Sequence, residues 1–143
     1  MATKKYISDS PADTMAVACE LGKKATGGKV YCLSGDLGTG KTVFTKGFAK
    51  GLGITEPVVS PTFTILQIYE DGRLPLYHFD VYRIDDVTEM EEIGYRDCFY
   101  GDGVSLVEWA ENIEELIPPE AVRVKISKDL SKGFDHRIIE VSE

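Results

Sequence analysis

The sequence predicts a three-layer α/β fold built on one mixed parallel/antiparallel central sheet, and three observations predict it. A short apolar run, Lys29 to Leu33, leads directly into a glycine-rich loop and then a helical pattern from Lys41 to about Gly51, which reads as strand, loop, helix. Beyond Pro57 the pattern changes to alternation. Residues 63–70 and 74–82 flank Asp71-Gly72, a turn signal between two β-like runs, so an antiparallel hairpin is expected there. Residues 104–107 form a second buried-strand candidate, which places parallel strands near the loop and antiparallel ones beside them.

The remaining elements follow in order. A strand near Lys5 to Ser8 precedes a helix capped by Ser8, Asp9 or Ser10, with Pro11 in its first turn, running to about Ala25 before Gly27-Gly28. Asp85 to Ile93 reads as a helix with Asp85 or Asp86 as cap and further acids where the helix dipole favours them. Ala110 to Leu116 is a short helix ended by Pro118-Pro119, and residues 121–141 suggest a last hairpin around Ser131-Lys132-Gly133. Pro75 makes the strand that follows it look like a sheet edge.

The 143 residues match one domain, 1–143, long enough to bury a core without disulfides. With 43% hydrophobic and 28% charged residues the composition is that of a globular protein. No apolar stretch reaches the ~18 residues of a membrane span, and the start has no apolar segment of signal-peptide length, so a cytoplasmic protein with no membrane partner is expected. Cys19, Cys32 and Cys98 are an odd number at wide spacing with only two histidines, which argues against a disulfide frame or a zinc site.

The net charge of -8 is uneven: residues 1–53 carry +4, residues 54–120 carry -13 and residues 121–143 carry +1. Phosphate-backbone affinity needs clustered Lys and Arg, so a stand-alone nucleic-acid binder, of DNA in particular, is disfavoured. Lys46 and Lys50, four apart, would share a helix face at the basic end.

The strongest chemical signal is Gly35-Asp36-Leu37-Gly38-Thr39-Gly40-Lys41-Thr42, which satisfies G-x-x-x-x-G-K-[ST] in full and sits between strand and helix as that motif requires. Glycines let consecutive backbone N–H groups surround an anion, and the helix N-terminus behind them adds partial positive charge. Lys41 would reach the β- and γ-phosphates as a point charge, while the Thr42 hydroxyl would bind Mg²⁺. The loop predicts binding of a nucleoside triphosphate, with ATP and Mg²⁺ as cofactors, on a P-loop NTPase-like fold. Such chemistry needs two more acids, one for the metal and one for the attacking water. Asp80 and Glu108 stand at apolar strand ends; spacing finds the pair without assigning roles. Ser60-Pro61-Thr62-Phe63 is a polar stop before a strand, either a loop that senses the γ-phosphate or an ordinary strand entry.

Taken together, residues 35–42, Ser60-Pro61-Thr62-Phe63, His78-Phe79-Asp80-Val81-Tyr82-Arg83 and Glu108-Trp109-Ala110-Glu111 resemble the TsaE-type ATPases of tRNA threonylcarbamoyladenosine synthesis, in the order of that family. A proline is more usual at the position of Ala110. The resemblance implies Asp80 on the metal side with Thr42, Glu108 acting on the water and lying near the metal, and Thr62 near the γ-phosphate. It also implies that Lys41, Glu108 and Thr62 serve catalysis, and that residues 35–42 with Val43 and Trp109 bind the nucleotide. For function it implies an ATPase, slow without partners, that resets a complex of the TsaD-type threonylcarbamoyl transferase and its paralogue TsaB during modification of adenosine 37. tRNA would be engaged only through that complex. A small-molecule kinase would need an acceptor pocket and arginines, of which there are five and no lid-like insertion. A GTPase would need an N-K-x-D segment, which does not occur. A nucleotide-gated binding module with negligible turnover is the remaining alternative.

Overall fold

A computed structural model describes residues 3–36, 38–59 and 65–143. In chain order the elements are β1 (Thr3–Ser8), α1 (Pro11–Lys24), β2 (Val30–Gly35), α2 (Lys41–Gly51), β3 (Leu66–Tyr69), β4 (Leu76–Asp80), α3 (Thr88–Glu92), α4 (Tyr95–Phe99), β5 (Val104–Glu108), a 3₁₀ segment (Ala110–Leu116), β6 (Val122–Lys128), a 3₁₀ turn (Leu130–Lys132) and β7 (Arg137–Ser142). The seven strands form one sheet in the order β1-β7-β6-β2-β5-β4-β3. β2 pairs in parallel with β5 and β6, β4 pairs in parallel with β5, and the β3–β4, β6–β7 and β1–β7 pairs are antiparallel. The mixed sheet expected from the sequence is therefore present.

Alternation along the strands divides the core in two. Tyr31, Leu33, Leu106, Val124 and Ile139 face α1 and α2, packing with Phe44, Phe48 and Leu52. Cys32, Phe79 and Val107 face the other way, against Met90, Phe99 and Ile113 of α3, α4 and the 3₁₀ segment. Cys32 is buried, and burial pushes its thiol up to about 11, which leaves no thiolate for chemistry at neutral pH.

The helices begin as local chemistry dictates. Ser10 caps α1, its hydroxyl accepting from the Asp13 N–H at 3.1 Å, with Pro11 next. At the other end of α1 the Arg73 guanidinium donates to the carbonyls of Gly22, Lys23 and Ala25 at 2.7, 2.8 and 2.7 Å. Arg73 belongs to the β3–β4 turn, where the Asp71 carboxylate accepts the Thr55 and Glu56 N–H groups. The Tyr69 hydroxyl brackets Val59, accepting from its N–H at 3.0 Å and donating to its carbonyl at 3.2 Å. One hairpin tip thus ties α1 to the chain leaving α2.

Three sequence expectations change. The helix expected over Asp85–Ile93 is shorter, because Glu89 accepts from the Asp85 and Asp86 N–H groups and Asp86 from the Thr88 N–H, so the acids cap a turn ahead of α3. Gly94 at φ 71° then ends α3, and α4, unforeseen from sequence, begins. β4 is an inner strand: Pro75 lies just before it, so its missing N–H is not needed, and its carbonyl accepts the Val104 N–H at 2.8 Å. Ser60-Pro61-Thr62-Phe63 and Leu37 lie outside the described residues.

α1 and α2 pack closely because glycines meet at their crossing. A Cβ at Gly51 would stand 2.9 Å from the Gly22 Cα and closer still to the Cys19 carbonyl oxygen. In an exposed helix Gly→Ala gains about 1 kcal/mol, but overpacking costs about 1–3 kcal/mol. Gly51→Ala is therefore expected to lose net stability, seen as a lower urea midpoint with an unchanged m-value.

Candidate nucleotide site

The parallel register sets the site. Leu33 of β2 lies opposite Glu108 of β5, and Glu108 lies opposite Asp80 of β4, so three carboxyl-terminal strand ends meet at one edge. Gly35 ends β2 at that edge, and the loop from it opens α2 at Lys41. Glu108 is buried and Asp80 half-buried.

The loop folds over itself, with the Thr39 hydroxyl donating to the Asp36 carbonyl at 2.8 Å and the Thr39 N–H to the same oxygen at 3.1 Å. Arg137 of β7 holds it from outside, donating through Nε to the Thr39 carbonyl at 3.0 Å and through Nη2 to the Gly38 carbonyl at 3.4 Å. A trans peptide carries its N–H opposite its carbonyl, so turning the Thr39 carbonyl to Arg137 turns the Gly40 N–H away from it. Gly40, at φ 102°, is the N-cap of α2 and offers no side chain to the first-turn N–H groups. A Cβ there would meet nothing within 4 Å among the described residues. An uncapped helix start facing open space is what an anion requires, so these residues fit a phosphate group. Val43 borders a depression of about 40 Å³ beside Thr39 and Gly40, and a larger open cleft of about 480 Å³ lies between Asp36, Trp109 and Lys125.

Lys41 rests on Trp109, its Nζ 4.6 Å from the ring centroid, and Tyr82 packs on the same indole at 4.8 Å between centroids. Trp109 is the one non-glycine residue with positive φ among the described residues (φ 64°, ψ 35°), a conformation that costs about 1–2 kcal/mol. It turns the chain out of β5 immediately after Glu108. Thr42 is exposed on the first turn of α2.

The two acids are held differently. Asp80 accepts the Tyr82 N–H at 3.1 Å, and Asn112 of the 3₁₀ segment clamps the same turn by donating to the Val81 and Tyr82 carbonyls at 3.0 and 3.2 Å. Desolvation raises the Asp80 carboxyl above its ordinary value and the Glu108 charge adds to this, while the Tyr82 N–H, His78 and Lys41 pull the other way. Glu108 Oε2 is 2.7 Å from Nε2 of buried His78. Thr42 and the two carboxylates would supply the modest kind of ligand set that suits Mg²⁺ shared with a phosphate ligand, rather than an all-protein cage.

The structure brings Asp80, Glu108, Lys41 and Trp109 to one edge, with Thr42 next to Lys41 on the first turn of α2. The sequence assigned no role to His78, which appears there only within a motif, or to Asn112 and Arg137. His78 was accessible in principle, since it stands two residues before Asp80 on a strand and so shares its face. Arg137 and Asn112 act by donating to backbone carbonyls, which no sequence pattern marks.

The fold and loop define an α/β protein of the P-loop type, with its glycine-rich turn at the end of a central parallel strand. The family model described as "Threonylcarbamoyl adenosine biosynthesis protein TsaE" matches residues 8–138, and the chain belongs to that family. The tRNA threonylcarbamoyladenosine biosynthesis protein TsaE of Bacillus subtilis (strain 168) is 52% identical over 135 residues, spanning 94% of this chain and 82% of that protein. The Treponema pallidum (strain Nichols) protein of the same name is 42% identical over 122 residues, 85% of this chain and 90% of the relative. A crystal structure of Bacillus subtilis YdiB matches with a TM-score of 0.84 at 45% identity, covering 98% of this chain and 84% of that one. No helix among the described residues is long and apolar enough to cross a membrane.

Because the folded protein raises the Asp80 carboxyl, the native state holds that proton more tightly than the unfolded chain. Stability from this group therefore falls as pH rises past the carboxylate range. Asp80→Asn is expected to raise the ligand-free thermal midpoint at about pH 7.5, with the advantage shrinking as pH falls through that range.

Proposed function

We propose that this chain is an ATPase that serves threonylcarbamoyladenosine modification of tRNA adenosine 37, binding ATP and Mg²⁺ at Gly35–Thr42 and resetting a complex of a TsaD-type transferase and TsaB. The observation that carries the reading is the convergence of an uncapped α2 N-terminus, Lys41 and the Asp80–Glu108 pair on one sheet edge. Family membership supports the tRNA-modification role, and the resemblance in the site motifs supports the partners.

The backbone N–H groups of the loop and of the first turn of α2 take the phosphate oxygens. Lys41 leaves the Trp109 face to neutralise the β- and γ-phosphates. Thr42 and Asp80 hold the metal side, with Glu108 near it. Mg²⁺, when bound, neutralises charge on the phosphate oxygens. Glu108, carried rigidly on β5, accepts the proton of the attacking water. Thr62 serves the γ-phosphate, and Val43 and Trp109 flank the nucleotide. The same acidic chain leaves tRNA to the partners, in the cytoplasm.

The test is ATP hydrolysis by the purified chain, alone and with TsaB and TsaD added. Marked stimulation is expected; equal rates would count against the resetting role. Lys41→Ala is expected to weaken ATP binding by titration roughly tenfold to 100-fold, the worth of one charge-assisted contact. Glu108→Ala should retain binding and lose turnover by about 10²- to 10⁴-fold, the usual contribution of a general base.

A further inference from the structure

His78 is a buried imidazole that the proposed chemistry does not use. It sits on β4 two residues before Asp80, and its strand neighbour across the parallel ladder is Leu106, two residues before Glu108. Side chains two apart on a strand share a face, so His78, Asp80 and Glu108 all point toward α1 and α2, the side from which Lys41 comes. The His78 Nε2 to Glu108 Oε2 distance is 2.7 Å with both side chains buried. Among the described residues His78 is the only hydrogen-bond partner of the Glu108 carboxylate.

The other ring nitrogen, Nδ1, is buried and has no hydrogen-bond partner among the described residues. A histidine that leaves one polar atom unsatisfied is a poor choice for stability alone, since an apolar side chain of similar volume would fill the space without that cost. Among the described residues its hydrogen bonding is directed at Glu108 alone. With Glu108 as a carboxylate, which can only accept, the donor in this bond is His78 Nε2. Occupying Oε2 in this way restrains the terminal torsion of Glu108 and leaves Oε1 outside that bond.

We propose that His78 is a positioning residue that aims the Glu108 carboxylate at the attacking water. The inference rests on the reading of Glu108 given above. Its action is geometric, through one hydrogen bond, as outer-shell partners orient the groups that touch substrate.

The experiment pairs a turnover arm with a spectral arm. Turnover and ATP affinity are compared for wild type, His78→Leu, His78→Gln, Glu108→Ala and the His78→Leu/Glu108→Ala double variant, with TsaB and TsaD present. Glutamine places an amide N–H near the position of Nε2 and guards against a folding artefact of leucine. His78→Leu is expected to bind ATP within about threefold of wild type and to turn over roughly 10- to 100-fold more slowly. His78→Gln should recover most of that loss, and the double variant should be no slower than Glu108→Ala. Unchanged turnover in His78→Leu, no recovery by glutamine, or losses that multiply in the double variant would each overturn the proposal. In the spectral arm, imidazole ¹⁵N–¹H correlation on the ligand-free protein should find an exchange-protected Nε2–H of His78 that shifts or vanishes in Glu108→Ala. A missing resonance overturns the inference even in an active protein. Wild type without turnover but with that resonance counts against the proposed ATPase, and the hydrogen bond stands.

Discussion

Leu33 faces Glu108 and Glu108 faces Asp80 in an unbroken parallel register, and the placement of the site depends on that pairing. A slip of one residue on β5 would send Glu108 to the opposite face, because side chains alternate with period two. Such slips are prevented by burial on both sides: β5 is buried along its whole length, with Leu106 packed toward α1 and α2 and Val107 toward α4 and the 3₁₀ segment. The apolar content of two cores thus sets the position of two carboxylates.

Around that register the supports are mostly backbone contacts. Arg137 holds the loop carbonyls, Asn112 the turn after Asp80, and Arg73 the end of α1. Each reaches across tens of residues of sequence to a carbonyl oxygen. The Arg137 bonds hold Gly38 and Thr39 while leaving the α2 N-terminus without a side-chain cap among the described residues.

The division between what the sequence discloses and what it hides follows from this. The strand–loop–helix unit, the Asp71-Gly72 hairpin and the terminal hairpin were legible because apolar periodicity and turn chemistry are local. The roles of Asp80 and Glu108 were not separable by spacing, since both end apolar runs. The inner position of β4 is not legible because a proline at a strand's entry reads as an edge signal, whereas Pro75 only delivers a carbonyl to Val104. The acid-rich stretch before α3 reads as helix by propensity but spends its carboxylates on capping a turn. Long-range donors such as Arg137, and the His78–Glu108 pair, depend on which strands become neighbours, and that is decided by tertiary packing.

The left-handed turn at Trp109 has an optical consequence. This is the sole tryptophan of the chain, and a lysine ammonium lies on one face of its indole with a phenol ring beside it. Near-ultraviolet emission of the protein therefore originates almost entirely at the end of β5, next to the helix start. Any event that draws the ammonium off the ring alters the colour and yield of that emission, so the fold carries a native fluorophore at the place where a bound anion would compete for Lys41.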